Sequence, residues 1–235
     1  MNRPEREKLP SSFRDPSGFL FEKEGRLYRQ VNQFYREDYD ALMDGGLYEE
    51  LVSAGLLVRH TEADISLALC EDAYKVIAPE RVPFISYPYE WCFSQLKDAA
   101  LTTLHIQKRA FERGMSLKDA SAYNIQFAGG RAVLIDTLSF ERYREGEPWV
   151  AYRQFCQHFL APLALMSRTD VRLSKLMRTF IDGVPVDLAA ALLPARTRLS
   201  PPGMAMSTFD TSPSMPSGGR KLRAGALCVI ARLLL

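Results

Sequence analysis

The sequence predicts an α+β fold in which a strand-rich first half is followed by a mainly helical second half. Three observations carry that prediction. Short aromatic and aliphatic runs separated by turn residues fill the chain up to about residue 88, an amphipathic stretch covers residues 94–113, and an apolar, largely helical region covers residues 150–177.

The elements follow in order. Residues 18–31 hold two short apolar runs around Lys23-Glu24-Gly25, the pattern of a β-hairpin. Residues 35–45 and 47–54 are rich in Asp, Glu, Leu and Ala and are punctuated by Gly45, Gly46 and Gly55, as helices ending at glycine are. Two further strands are expected over residues 74–78 and 83–87, separated by a Pro79-Glu80-Arg81 turn. In residues 94–113, Leu96, Ala99, Ala100, Thr103, Leu104, Ala110 and Phe111 fall mainly on one helical face, and Gly114 ends the helix.

Composition bounds the function. With 47% hydrophobic, 25% charged and 11% aromatic residues, the 235-residue chain is an ordinary globular protein, neither fibrous nor wholly disordered. Cys70, Cys92, Cys156 and Cys228 stand singly, which indicates neither a disulfide framework nor a zinc site and makes a reducing cytoplasm the expected location. The net charge of +2 is concentrated in residues 200–235, where Arg220, Lys221, Arg223 and Arg232 face only Asp210. The near-neutral body carries no electrostatic footprint for nucleic acid. His60, His105 and His158 lie too far apart for metal spacing and anchor no site.

The stretch that carries chemistry is residues 117–136, LKDASAYNIQFAGGRAVLID. Asp119 and Asn124 have the D-x-x-x-x-N separation, Gly129-Gly130 reads as a tight hairpin turn, and the second strand ends in Asp136. This arrangement resembles the catalytic segment of the protein-kinase-like fold, including its aminoglycoside-phosphotransferase branch. Phosphoryl transfer needs one carboxylate to orient the attacking hydroxyl, and an amide oxygen with a second carboxylate to hold magnesium over the phosphates. The resemblance implies that role for Asp119, metal ligation by Asn124 and Asp136, and Mg2+ and ATP as cofactors. Against the family pattern, Lys118 stands in place of Arg, no His precedes it, and Asp136-Thr137-Leu138 lacks the D-F-G glycine. The competing reading of the three residues is local turn capping, which Asp and Asn favour.

The first half lacks both a G-x-G-x-x-G loop and a V-A-I-K-like lysine. If the hairpin of residues 18–31 stands for part of a small lobe, Arg29 falls where a phosphate-contacting lysine would, with Glu49 or Glu50 as its partner. Lys75 is the rival cation, and a solvated strand position is the plain alternative for both.

On this resemblance the chain divides into a disordered N-terminus (1–11), a small α/β lobe (12–89), a mainly helical lobe (90–199) containing the catalytic-loop-like segment, and a tail (200–235). Of residues 200–219, 12 are Ser, Pro or Gly. The tail therefore reads as flexible or as a frameshifted or truncated reading frame, with weak amphipathic membrane contact as a third reading. Its final apolar run is shorter than the ~20 residues a membrane-spanning helix needs.

The stretches FRDPSGFLFEKEGRLYRQV, ISYPYEWCFSQLKDAALTTL and LKDASAYNIQF with VLIDTLSFE resemble the N-terminal module of bacterial proteins in which a class I methyltransferase domain follows, some of them labelled nodulation proteins. That resemblance implies a kinase-like module, non-catalytic or weakly nucleotide-binding, that normally precedes an S-adenosylmethionine-dependent domain. The expected partner is a small molecule or that methyltransferase domain. An active small-molecule phosphotransferase and a protein-interaction module built on Tyr89 and Trp91 are the alternatives.

Overall fold

The computed structural model describes residues 7, 8 and 15–194. The expectations for the tail, 200–235, lie outside the described residues, as do most of those for 1–11. Within the latter stretch, β1 (Glu7–Lys8) pairs with the following strand, opposite Glu22 and Phe21.

The first hairpin forms as expected, from β2 (Gly18–Lys23) and β3 (Arg26–Asn32). Its turn places Glu24 at φ 54° and Gly25 at φ 73°, the paired positive angles of a type I′ turn, whose twist matches that of the flanking strands. After β3 come α1 (Arg36–Asp44) and α2 (Leu47–Ser53), then β4 (His60–Ala63) and β5 (Ala73–Pro79). The five strands make one antiparallel sheet in the order β1-β2-β3-β5-β4.

Two expectations fail here. The fourth strand is HTEA at 60–63, which has almost no apolar alternation and takes its place by pairing with β5. The strand expected at 83–87 is absent, and residues 80–87 instead form a connection leaving the sheet. Pro83 cannot donate a ladder hydrogen bond. Ser86 gives its N–H to Gln126 Oε1 (2.9 Å) and accepts from Gln126 Nε2 (3.0 Å), so its backbone groups are satisfied outside any sheet.

The second half opens with α3 (Phe93–Glu112), whose buried face contains Leu96, Ala99, Ala100, Thr103, Leu104 and Ala110. Gln95 caps its start by accepting the Cys92 N–H at 3.0 Å. Then follow β6 (Met115–Leu117), β7 (Ile125–Ala128), β8 (Arg131–Leu134) and β9 (Phe140–Arg142), paired β6 with β9 and β7 with β8. Gly129 (φ 57°) and Gly130 (φ 78°) turn β7 back on β8 as the sequence suggests.

Residues 150–177 do not form one helix. They break into α4 (Tyr152–Phe155), a π turn (Cys156–Leu160), α5 (Ala161–Arg168), a 3-10 turn (Val171–Lys175) and α6 (Leu176–Thr179), with α7 (Val186–Leu192) beyond. Pro162 has no N–H to give the His158 carbonyl, and the helix widens into the π turn just before it.

The main core surrounds α3 and includes Trp91, Trp149, Phe155 and Phe159. A second cluster, Val31, Tyr35, Tyr39, Ile77 and Leu138, joins the sheet and α1 to the segment after β8. Burying a side chain such as Leu138 completely stabilises this junction by about 1.5–3 kcal/mol. Polar bonds reinforce it. Val58 N–H donates to Leu134 O and Leu134 N–H to Leu56 O, both at 2.9 Å, and Tyr35 OH donates to Phe140 O at 2.6 Å. The outcome is the expected α+β class, a small antiparallel-sheet part followed by a mainly helical part.

Candidate functional site

Asp119 leaves the sheet pair β6-β9 on a loop that is held at three points. Lys118 N–H donates to Ser139 O (2.8 Å), Ala120 N–H to Gln154 Oε1 (2.7 Å) and Ser121 N–H to Asp119 Oδ1 (2.9 Å). The last of these closes an Asx turn, so the local capping role anticipated for Asp119 is present. Gln107 supports the loop from below. Wholly buried on α3, it accepts Leu117 N–H at 2.7 Å and donates to Ser116 Oγ at 3.0 Å.

Asn124 is fixed through both backbone and side chain. Its carbonyl accepts Ile135 N–H (2.8 Å), which aligns the start of β7 with the end of β8, and its Nδ2 donates to Ser139 Oγ (3.3 Å). Asp136 lies two residues past β8, which stops at Leu134, and caps the following short turn by accepting Leu138 N–H at 2.8 Å. The same Oδ1 accepts Arg29 Nη1 at 2.5 Å.

Arg29 is therefore the second half of the site. It projects from β3, and its side chain is only 9% exposed. Nη1 binds Asp136 and Nη2 binds Asp15 at 3.1 Å, so one guanidinium joins two carboxylates that are 121 residues apart in the chain. Its Nε is buried without a hydrogen-bond partner. Nearby, Lys118 Nζ donates to Ser17 Oγ (2.6 Å) and lies 4.5 Å from the Tyr35 ring centroid.

Asp119 and Asp136 face one open cleft of about 770 Å³, lined also by Asp15, Asp38, Lys118 and Glu141. Asn124 borders it only through Ser139. Five carboxylates line the cleft against two cations, Lys118 and Arg144. Burial, followed by the Asp38 charge, raises the Glu141 carboxyl above its ordinary range, and burial followed by Asp136 pushes the Tyr35 phenol well up.

The other two sequence candidates are elsewhere. Lys75 Nζ is engaged by Glu62 at 2.8 Å and lies 5.7 Å from the Tyr74 ring. Glu49 is exposed, with Ser53 Oγ at 3.4 Å, and does not partner Arg29. Its neighbour Glu50 is also taken, by Arg109 and Arg113, each at 2.9 Å. The expected Arg29–glutamate pair is thus replaced by Arg29 with Asp15 and Asp136. Sequence reasoning missed Asp15 because nothing local links it to a cation 14 residues on.

It also missed the surroundings of His60. The imidazole Nε2 is 3.2 Å from Tyr39 OH, Nδ1 is 3.4 Å from Thr137 Oγ1, and the ring lies 4.4 Å from that of Tyr48. A buried hydrogen-bonded histidine thus joins β4 and α1 to the residue following Asp136.

The donor set does not fit a magnesium–nucleotide complex as it stands. Asp136 already neutralises its charge on Arg29, Asn124 is drawn toward Ser139, and the cation that would grip phosphate is shared between two carboxylates. Among the described residues, no group of three or more His, Cys, Asp or Glu side chains is placed to hold a metal ion.

Arg29 thus stands on the third strand and is joined to the end of the 119–136 segment through Asp136. No family model matches the chain. It is 37% identical over 180 residues to the nodulation protein NoeA of Rhizobium meliloti (strain 1021), a match covering 76% of this chain and 37% of that protein. The chain thus spans well under half the length of this curated relative. Among solved structures, it is similar to the Mycobacterium tuberculosis PknI kinase domain, with a TM-score of 0.41, 14% identity and coverage of 90% of this chain and 88% of that one. It is also similar to vaccinia related kinase 3, with a TM-score of 0.43, 12% identity and coverage of 99% and 94%. No helix among the described residues is long and apolar enough to cross a membrane.

Proposed function

We propose that this chain is a kinase-like module whose phosphotransfer site is closed by its own arginine, and that it serves as the N-terminal part of a longer, cytoplasmic methyltransferase-type protein. The observation that carries the reading is Arg29, which bridges Asp136 and Asp15. A guanidinium 2.5 Å from Asp136 Oδ1 offsets the negative charge that a divalent ion would need there. The acidic cleft then repels phosphate rather than attracting it. On this reading the module is non-catalytic or weakly nucleotide-binding, Asp119 is a turn-forming residue, and S-adenosylmethionine chemistry belongs to a domain outside this chain. The length of the nodulation relative, most of which the chain does not span, supports a larger parent protein.

Thermal-shift titration with ATP, with and without magnesium, tests the closed site in wild type and in Asp136→Asn. The expected wild-type response is small and independent of magnesium. A magnesium-dependent shift in wild type that disappears in Asp136→Asn overturns the reading. Transfer of radiolabelled phosphate from ATP, abolished by Asp119→Asn, would establish the phosphotransferase instead.

A further inference from the structure

A second pocket of about 330 Å³ lies where the end of α2, the connection after β5 and the β7-β8 turn meet. Three arginines line it, Arg59, Arg81 and Arg131, against one carboxylate, Glu80. None of the three takes part in an ion pair among the described residues, whereas Arg109, Arg113, Arg142 and Arg172 all do.

Their backbones are held in place. Glu80 N–H donates to Arg59 O at 2.8 Å, Arg131 pairs with Ala128 across the hairpin turn, and Val58, beside Arg59, is bonded to Leu134. The Arg131 guanidinium also rests close to Gly55, where an added Cβ would lie 3.8 Å from its Cζ. Between the cations the lining is apolar, with Val52, Leu57, Val82, Pro83 and Val133.

Three like charges around one concavity repel each other until an anion enters, and guanidinium forks match phosphate oxygens in geometry as well as in charge. The apolar lining adds a surface for a ring. The volume suits a phosphate with one ring attached and is too small for a polymer. The near-neutral body argues against a nucleic-acid stripe. We propose that this pocket binds a small phosphomonoester carrying an apolar or aromatic group, independently of the acidic cleft. Because the pocket draws its lining from the sheet part, the connection and the hairpin together, such a ligand holds the two parts against each other.

The test uses the full chain and isothermal titration with phenyl phosphate, inorganic phosphate and phenol at fixed ionic strength. Phenyl phosphate should bind saturably, more tightly than inorganic phosphate, and phenol should not bind. Arg59→Gln and Arg131→Gln should each weaken phenyl phosphate about tenfold or more, as loss of a charge-assisted hydrogen bond does. Arg168→Gln, which removes an equal charge on α5, should leave the affinity unchanged. Thermal denaturation of each variant without ligand verifies folding, which these exposed side chains should not alter. Absence of saturable binding, unchanged affinity in the pocket variants, or equal weakening by Arg168→Gln overturns the proposal. None of these outcomes bears on the magnesium and ATP titration of the other cleft.

Discussion

Arg29 Nη1 and Asp136 Oδ1 lie 2.5 Å apart although 107 residues separate them in the chain, and this contact ties the third strand of the sheet to the end of the β7-β8 hairpin. It is mostly buried, with side-chain exposures of 9% and 17%. Removing one partner of such a pair leaves the other charge poorly solvated. Arg29→Met is expected to cost about 2 kcal/mol in urea denaturation, the scale of a charged hydrogen bond discounted for the partial exposure of Asp15 and Asp136. In a double-mutant cycle, Asp136→Asn should cost less in the Arg29→Met background than in wild type. Additive losses would mean that the pair does not hold the two parts together.

Gln107 should matter to the site without lining it. Its side chain satisfies Leu117 N–H and Ser116 Oγ in the interior, immediately before Lys118 and Asp119. Gln107→Leu keeps the volume and removes both partners, leaving a buried backbone donor unmet at a cost of about 1–3 kcal/mol. Hydrogen exchange should show faster opening of β6 and the Asp119 loop in this variant, while β2 and β3 stay protected. Unchanged exchange at Leu117 would refute the supporting role.

The parts of this fold legible in the sequence are those written in local pattern. The two hairpins were signalled by Glu24-Gly25 and Gly129-Gly130, and α3 by the spacing of Leu96, Ala100 and Leu104. What stayed hidden depends on distant partners. Strand β4 has no apolar rhythm and exists because β5 offers it a ladder. The apolar composition of 150–177 marks the region as largely helical but does not show where it divides into α4, the π turn, α5, the 3-10 turn and α6. At the site, the resemblance brings Asp119, Asn124 and Asp136 together, and the structure sets Asp119 and Asp136 on one cleft without Asn124; the choice of Asp15 and Asp136 by Arg29 is settled only when the sheet packs on the hairpin. Glu50 satisfied the sequence argument equally well and is consumed by Arg109 and Arg113.

The β7-β8 turn gives a local test of how the hairpin is set. Gly130 has φ 78° and open space around its missing Cβ, so a substitution there is limited by backbone strain and not by crowding. Gly130→Val should destabilise the protein by about 1–2 kcal/mol, because a β-branched residue in the left-handed region is strained. Gly130→Asn, which tolerates that region, should recover most of the loss. Equal losses for the two variants, measured by chemical denaturation, would show that the turn does not hold this conformation in solution.

His60 should make the junction sensitive to acid. Burial lowers its pKa to about 4, against an ordinary value of 6.5, so the folded protein keeps the ring neutral where the unfolded chain protonates it. Between those two values the unfolded state binds more protons, and stability therefore falls as pH drops from 6.5 toward 4. Above 6.5 this contribution is fully present, and its total is up to about 3 kcal/mol. Burial lowers His158 in the same direction, and the carboxylates add their own acid dependence, so the wild-type slope alone assigns nothing. The informative quantity is the difference between wild type and His60→Gln, which preserves hydrogen bonding toward Tyr39 and Thr137 but cannot take up a proton. Chemical denaturation at pH 7.5, 6 and 5 should show the variant losing less stability than wild type on acidification. Parallel pH curves for the two proteins would mean that His60 is protonated as readily in the fold as in the unfolded chain and would refute the burial-driven shift.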